Sequence, residues 1–393
     1  MTAKVIEAAY DVAALRRDEF PLTADTVYLN HAGISPLPRR TALAMHDATD
    51  RLMQNPMLGF GWFMELEQTL HKNIQQLINA AEPEEIVSVQ STSLGMNLVA
   101  QAMQWQAGDN LILCDAEFPS NAYPWMRLAD QYGVEVRLIP SKNGGLSIED
   151  VSARMDGKTR LVAASAVQFL SGHRTDLVGL GKLCAERGII FAVDAIQAAG
   201  HIAIDVQSMN IGILCAGGQK SLLAPPGLGF LYVQRDLAEQ MRPTFIGPNA
   251  TVDFLHWLKY DMTPLPASAR FVMGTPNVVG AAGLRASLSL LLELGVSRID
   301  AYVTALVSYA MARLMDHGYQ ILTPNSHAGI LTFRAAETDV QTDALVKALA
   351  ERKIYVVKHW DALKNAYLRA SFHCYNNLED VDRLLSALEE IKL

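Results

Sequence analysis

The sequence predicts an α/β protein, with a large domain built on a mostly parallel sheet of seven strands and a smaller α+β domain. Six short apolar runs alternate with helical patterns between residues 86 and 216, and strands separated by helices imply crossovers and parallel pairing. A seventh apolar run follows after a short loop, which predicts an antiparallel addition. From about residue 276 the order changes, because two long helical patterns precede the next strand.

The predicted elements follow in chain order. Residues 1–20 have helical spacing, and we expect them to pack on the C-terminal part or on a partner subunit. Residues 27–30 predict a short strand with a turn at 31–33, and two amphipathic helices are predicted at 36–55 and 60–80. The strands of the sheet are predicted at 86–89, 111–114, 134–139, 161–165, 189–193, 211–216 and 228–233.

The C-terminal part predicts helices at 278–294, 298–317, 340–352 and 378–391, and strands at 330–334 and near Tyr355 and Leu368. We assign residues 21–275 to a large, cofactor-binding domain. Residues 1–20 and 276–393 form the predicted small domain.

Composition restricts the class of protein. The chain has 393 residues, of which 50% are hydrophobic and 19% charged, with a formal net charge of −8. This charge and the lack of a basic run argue against a nucleic-acid partner. Residues 1–20 mix acidic and basic side chains, so we expect no signal peptide, and the apolar run 288–292 is too short to predict a membrane span. The four cysteines lack metal-ligand or disulfide spacing, so we expect no metal site. A cytoplasmic location is therefore expected.

Lys220 stands between the apolar runs 211–216 and 228–233, beside Gly217 and Gly218. Taken alone, an exposed loop lysine is the commoner explanation, although a lysine can also lose its proton and form a Schiff base. Asp194 changes this interpretation, since it ends the buried run 189–193 one crossover length before Lys220. Asp and Lys at neighbouring strand ends suit pyridoxal phosphate, because lysine holds the aldehyde and the carboxylate keeps the pyridine nitrogen protonated.

Three motifs occur in order, Asp194-Ala-Ile-Gln197, Gly218-Gln-Lys220 and Gly274-Thr-Pro-Asn277. Together they resemble the class V aminotransferase, or cysteine desulfurase-like, superfamily of fold-type I pyridoxal-phosphate enzymes. The resemblance runs from the segment 28–33 to the segment 368–371. It is nearest to the branches of isopenicillin N epimerase and the C–S lyases. It implies a homodimer with shared active sites and an α-amino acid as substrate.

The resemblance also implies a set of cofactor-binding residues. Ser91 to Asn97 open a helix after a strand, which is an anion site, although an ordinary N-cap cluster has the same pattern. Phe118 stands where desulfurases have a His that stacks on the cofactor ring, and we expect Phe118 to stack there; a plain core phenylalanine is the alternative. The acid–base role of that His then passes to Lys220. Gly217 and Gly218 stand where relatives place a phosphate-binding hydroxyl. The cofactor-binding residues implied are Lys220, Asp194, Gln197, Thr92, Ser93, Phe118, Gln219 and Thr275. Thr275 resembles a residue that reaches the site of the neighbouring subunit. Lys220 and Asp194 are also the implied catalytic residues.

Arg369 matches the arginine that grips the substrate α-carboxylate, with a surface arginine as the alternative. The other substrate-binding candidates are Asn30, His31, Gln168, Arg174 and His359. Gln168 precedes Phe169, where desulfurases have Asn. His173 and Arg174 either contact a distal substrate group, or Arg174 pairs with Asp176 and only orders its loop.

The reaction is predicted from a missing residue. A desulfurase needs a nucleophilic cysteine before Arg369, whereas residues 356–361 here are Val-Val-Lys-His-Trp-Asp, and Cys374 lies beyond it. We therefore expect β-elimination on a cysteine-derived substrate without a persulfide, in which His359 protonates the departing thiolate or contacts the substrate's tail. Transamination and epimerisation remain enzyme alternatives. A pyridoxal-phosphate-binding protein without turnover is the alternative from another class.

Overall fold

The structure is a computed structural model and describes residues 8–57, 59–253 and 256–391. Residues 1–7 of the expected N-terminal helix lie outside this range. The helices are α1 (Val12–Glu19), α2 (Arg39–Gln54), α3 (Gly59–Ile78), α4 (Thr92–Ala102), α5 (Tyr123–Tyr132), α6 (Ile148–Arg154), α7 (Leu177–Glu186), α8 (Arg235–Gln240), α9 (Val278–Leu294), α10 (Val296–Asp316), α11 (Asp339–Glu351) and α12 (Leu378–Glu390). The strands are β1 (Val27–Tyr28), β2 (Ile86–Val89), β3 (Asn110–Cys114), β4 (Glu135–Ile139), β5 (Thr159–Ser165), β6 (Ile190–Asp194), β7 (Ile213–Gly217), β8 (Gly229–Val233), β9 (Gln320–Ile321), β10 (Ile330–Arg334), β11 (Ile354–Tyr355), β12 (Val357–Trp360) and β13 (Ala366–Ser371).

The large sheet has seven strands in the order β2-β8-β7-β6-β5-β3-β4. β8 alone runs opposite to the other six strands, so the mostly parallel α/β sheet is confirmed. The antiparallel strand does not lie at an edge, because β8 pairs with β2 on one side and β7 on the other. All residues of β3, β7 and β8 are buried, as expected for strands covered on both faces. The carboxyl ends of β3, β5, β6 and β7 therefore meet along one edge, where ligands bind in such sheets.

A second, antiparallel sheet has the order β12-β13-β10-β9, and β1 pairs with β11. Residues 357–360, in the segment searched for a nucleophilic cysteine, form β12 because they pair with β13 across a short turn. That turn is closed by Asp361, whose Oδ1 accepts hydrogen bonds from the backbone N–H groups of Leu363 and Asn365. His359 and Arg369 consequently share one face of this sheet.

The N-terminal segment packs on the C-terminal part of the same chain. Arg16 Nη1 lies 2.8 Å from Asp380 Oδ2, and Tyr10 donates a hydrogen bond to the carbonyl of Cys374. For residues 8–20 this agrees with the first of the two expected packing partners. α9 packs against α2, where Gly283 leaves room for Met45, and the domain boundary at residue 276 stays a prediction.

Within the described ranges, no single helix is long and apolar enough to cross a membrane. The bent pair α9 and α10, at 77°, meets that criterion by length and composition only.

Candidate active site

Lys220 and Asp194 lie at the carboxyl edge of the large sheet. Asp194 is the last residue of β6 and is paired in register with Cys215 of β7, and Lys220 follows the end of β7 by three residues. Both side chains are buried, with Lys220 only 8% exposed. Burial lowers the pKa of Lys220 to about 8, Asp194 opposes this shift, and Arg369 adds to it. Lys220 therefore has a substantial neutral fraction near neutral pH, which both a nucleophile and a base require.

Asp194 offers an acceptor that nothing described in the chain uses. Its Oδ1 accepts a hydrogen bond from the backbone N–H of Ile196 at 2.9 Å, whereas Oδ2 is buried and has no partner among the described residues. Burial, together with the nearby Glu117 carboxylate, raises the pKa of Asp194 to about 7. A protonated ring nitrogen at Oδ2 would satisfy this oxygen and neutralise the charge. Asp194 thus fits the pyridine nitrogen of pyridoxal phosphate.

The start of α4 forms a cradle of the kind that a phosphate requires. Ser91 caps the helix, and Thr92 Oγ1 accepts a hydrogen bond from the backbone N–H of Gly217 at 3.0 Å. Ser93 is exposed, and its Oγ lies 2.7 Å from Ser120 Oγ. A Cβ on Gly217 would lie 2.7 Å from Gln219 Oε1. Glycine in place of the expected hydroxyl residue thus keeps space open beside the helix N-terminus, where amides and dipole attract an anion.

Arg369 is a buried cation without a carboxylate partner among the described residues. Its Nη1 donates to the carbonyl of Phe169 at 2.7 Å, and its Nε is buried without a partner in the part of the chain that is described. Burial lowers its pKa to about 10, so the guanidinium stays charged at neutral pH. An unpaired buried charge is costly, and a carboxylate ligand would relieve that cost. The geometry therefore fits the predicted grip on an α-carboxylate.

Three rings lie near Lys220 and Arg369. Phe118 is 37% exposed, and Lys220 Nζ lies 5.1 Å from its ring centroid. The Phe118 ring meets Phe169 edge-on at 5.1 Å, and Phe169 meets His359 edge-on at 5.9 Å. Burial, Arg369 and Lys220 lower the pKa of His359 to about 4. His359 is therefore neutral at neutral pH, and the expected role as proton donor to a thiolate does not suit it.

His31 lies in a different environment from the expected one. Ser35 Oγ donates to the carbonyl of Lys220 at 2.7 Å, so its only hydrogen is used there, and His31 Nδ1 must donate to Ser35 Oγ at 2.9 Å. His31 is only 3% exposed, and burial holds its pKa well below the usual value. Its contacts are thus with the backbone that carries Lys220 rather than with an open substrate space.

Asn30 and Gln197 flank the same turn. Gln197 Nε2 donates to the carbonyl of Ala32 at 3.0 Å. Asn30 lies against Gly33, and its Oδ1 is buried without a partner among the described residues. Because β13 also contacts this turn, through Ser371 Oγ and the Ala32 N–H, the turn is held beside the strand that carries Arg369.

Glu117 is a central residue that the sequence interpretation missed. Its carboxylate is buried and accepts hydrogen bonds from Ser165 N (2.9 Å), Ser165 Oγ (2.5 Å), Gln168 Nε2 (2.7 Å) and Asn121 Nδ2 (2.9 Å). Gln168, expected to contact the substrate, uses its amide nitrogen here, while its Oε1 is buried and without a partner among the described residues. The available signal was a glutamate three residues after a buried strand and directly before Phe118.

Arg174 forms an ion pair with a residue that the sequence analysis did not suggest. Its guanidinium makes two 2.8 Å hydrogen bonds to Asp300 in α10. The expected alternative, pairing with Asp176, is wrong, because Asp176 caps α7 through the N–H of Gly179. A bidentate ion pair leaves little of the guanidinium for a substrate.

Thr275 is exposed, on the segment that leads into α9. It lines a cavity of about 270 Å³ together with Glu67 and His71. Glu67 Oε1 and His71 Nε2 are both buried and lack hydrogen-bond partners within the described ranges, and His71 Nε2 lies 3.6 Å from Glu67 Oε2. The described residues contain no cluster of three or more His, Cys, Asp or Glu side chains suited to a metal ion.

All four cysteines fall within the described residues, and each is a buried free thiol. Burial raises the pKa of Cys114 and of Cys184 to about 12, and raises the pKa of Cys215 and Cys374 as well. None of these thiols is therefore an accessible thiolate nucleophile.

Comparison with known proteins gives a consistent picture. The aminotransferase class-V family model matches residues 27–384. A probable cysteine desulfurase of Pyrococcus abyssi is 31% identical over 95% of this chain and 96% of its own length. The apo structure of a cysteine desulfurase from Thermococcus onnurineus NA1 superposes with a TM-score of 0.87 at 27% identity, covering 98% of this chain and 99% of that one. The cystine C–S lyase C-DES, in complex with its product cysteine persulfide, shares the fold, with a TM-score of 0.86 at 22% identity over 95% of this chain and 99% of its own.

Proposed function

Because the chain belongs to the aminotransferase class-V family, we propose that this pyridoxal-phosphate-dependent enzyme cleaves a carbon–sulfur bond by β-elimination. The proposed substrate is a cysteine-derived α-amino acid, and none of the enzyme's own cysteines takes up sulfur. The fold is that of the fold-type I enzymes.

The residues described above suit the cofactor at three points. Lys220 can bind its aldehyde, Asp194 Oδ2 can accept from its ring nitrogen, and the start of α4 with Thr92 and Ser93 can hold its phosphate. When bound, the cofactor withdraws electrons from the substrate's α-carbon and so makes the α-proton removable. Phe118 lies where its ring can cover one face of the cofactor.

The protein's own side chains bind the substrate and transfer the protons. Arg369 holds the substrate carboxylate and fixes the α-carbon near Lys220. The Lys220 amine, with its pKa lowered to about 8, removes the α-proton once the substrate has displaced it. The resulting ammonium is the proton donor for the departing thiolate, because a neutral His359 imidazole is too weak an acid to serve at neutral pH. One residue thus acts first as base and then as acid.

The single observation that carries this proposal is the burial of all four thiols. The relative from Pyrococcus abyssi is a probable cysteine desulfurase, and a desulfurase with its own persulfide needs a cysteine that reaches the substrate. In this chain β12 occupies the segment where that cysteine was sought, and its residues are Val357, Lys358, His359 and Trp360. Elimination needs no such group, so it agrees best with the residues present.

Two other functions use the same residues. Transamination or epimerisation would also employ Lys220 as the proton carrier, and Arg369 would serve them equally. A cofactor-binding protein without turnover is less well supported, since storage of the cofactor does not require a buried, unpaired arginine.

The proposal includes a homodimer with shared active sites in a cytoplasmic location. Thr275 is exposed, and apolar side chains in the same part of the sequence are also exposed, among them Met262 (66%) and Met273 (36%). Apolar exposure on this scale is typical of an interface. Buried, free cysteines agree with a reducing compartment.

The test is to incubate the holoenzyme with cysteine, cystine and S-substituted cysteines in the absence of any keto acid. We expect pyruvate and ammonia over many turnovers. Alkylation of the native protein with iodoacetamide should leave the rate unchanged. A single turnover that resumes only when a keto acid is added would make this a transaminase, and loss of activity on alkylation would point to a catalytic thiol.

A further inference from the structure

Three aromatic side chains, Phe118, Phe169 and His359, lie near Lys220 and Arg369. Phe118, Phe169 and His359 stand in a row, with centroids 5.1 Å and 5.9 Å apart, and each ring meets the next at an angle above 70°. This aromatic row comes from three separate parts of the chain: the loop after β3, the loop after β5, and β12. Arg369 Nη1 donates to the Phe169 carbonyl at 2.7 Å, so the backbone of Phe169 is held beside the carboxylate-binding group.

Charged side chains near the aromatic row already form ion pairs with carboxylates of the same chain. Lys358, on the same strand as His359, is paired with Asp339 (3.2 Å) and Asp343 (2.5 Å). Arg174 is paired with Asp300. His359 is neutral, because burial and the two nearby cations lower its pKa to about 4. Within the described ranges, Lys220 and Arg369 are thus the cations left at the site, and the proposed function uses both.

We propose that Phe169 and His359, next to the cofactor-facing ring of Phe118, form the side-chain subsite, and that this subsite selects a cysteine thioether with an uncharged, apolar sulfur substituent over cystine. This inference rests on the proposed function. A thioether sulfur and an aryl or alkyl group both pack favourably against ring edges and faces. The distal half of cystine carries an ammonium and a carboxylate, which would lose water here without gaining a partner.

The reaction at this subsite balances without an oxidant. The Cα–H bond breaks as Lys220 takes the proton, and the Cβ–S bond breaks as its electron pair leaves on sulfur. The thiolate receives the proton from Lys220 and departs as a free thiol. Water hydrolyses the released enamine to pyruvate and ammonia, so one thioether and one water give one thiol, one pyruvate and one ammonia.

The experiment compares kcat/KM for S-phenyl-L-cysteine and for L-cystine between the wild-type holoenzyme and the Phe169→Leu holoenzyme. Leucine keeps the backbone carbonyl that holds Arg369 but removes the ring. Tyr132→Leu is the matched control, since Tyr132 is 39% exposed at the far end of α5. We expect the wild type and the control to prefer S-phenyl-L-cysteine by about tenfold or more, and Phe169→Leu to lose most of that preference.

A binding measurement separates the subsite from the reaction. L-Homophenylalanine has the shape of S-phenyl-L-cysteine but carries CH₂ in place of sulfur, so it cannot eliminate. It should bind the wild type more tightly than L-glutamate or L-lysine, and Phe169→Leu should weaken it about tenfold. Preference for cystine, or equal binding of homophenylalanine by wild type and Phe169→Leu, overturns the subsite while leaving the lyase proposal in place. Tight, ring-dependent binding of homophenylalanine without pyruvate from any thioether would instead support the subsite and overturn the lyase.

Discussion

Replacing Asp194 by Asn should stabilise the cofactor-free protein at alkaline pH and weaken its hold on the cofactor. The carboxylate is 2% exposed, and its Oδ2 has no partner among the described residues. Asparagine keeps the Oδ1 acceptor for the Ile196 N–H while removing the buried charge. Stability and cofactor affinity should therefore change in opposite directions, which a merely structural residue would not produce.

The magnitude follows from the pKa of Asp194, which is raised from 3.8 to about 7. Because the native state holds the proton where the unfolded chain has lost it, the free energy of unfolding falls as the pH rises from about 4 to about 7. At pH 8 the shift of about three units costs the native apo-protein roughly 4 kcal/mol, and at pH 5 roughly 1.7 kcal/mol. Wild type should therefore lose about 2 to 3 kcal/mol relative to Asp194→Asn between pH 5 and pH 8.

Urea unfolding of both apo-proteins at pH 5 and pH 8, followed by the fluorescence of the five tryptophans, measures this difference. Groups that titrate alike in both proteins cancel from it. Added pyridoxal phosphate at pH 8 should stabilise wild type more than the variant, since a charged hydrogen bond is worth about 1.5 to 3 kcal/mol, or tenfold to a hundredfold in affinity. An equal pH dependence in the two apo-proteins would refute the reasoning, because Asp194 would then carry no buried charge.

Four further predictions concern single residues. The rate at which apo-protein captures pyridoxal phosphate should rise with pH with an apparent pKa of about 8, that of Lys220, and borohydride should fix the label on Lys220; a label on another lysine contradicts the assignment. Glu117→Gln should lower the free energy of unfolding by about 1 to 3 kcal/mol, because its new amide would face groups that all donate; unchanged urea unfolding would count against the described contacts. Lys220→Ala and Thr275→Arg should each be inactive alone, but mixed dimers of the two variants should regain activity, because one of the two shared sites then has both native residues. A lack of recovery, or a fully active monomer in sedimentation, excludes shared sites. Arg174→Ala should change kcat/KM by less than about threefold, because the guanidinium is bound to Asp300. A larger loss would indicate that Arg174 contacts the substrate.

The sequence alone determined the fold class and the centre of the site. Apolar runs on both faces of a strand and helical spacing between them are local patterns, so the parallel sheet could be read without its contacts. Lys220 and Asp194 were found because both follow buried strands, and such strands end on the same side of the sheet. The absence of a cysteine before Arg369 was equally visible.

The tertiary structure decided what depends on distant partners. β8 inserts between β2 and β7, which no local pattern specifies, because an apolar run does not encode its neighbours. The pairing of Arg174 with Asp300 and the four donors around Glu117 bring together residues far apart in sequence. The same holds for the neutral state of His359 and for the aromatic row, since burial and proximity arise only when β12, β13 and the strand-end loops meet. Local sequence thus specified which residues lie at the sheet edge, whereas long-range packing specified their charges and partners.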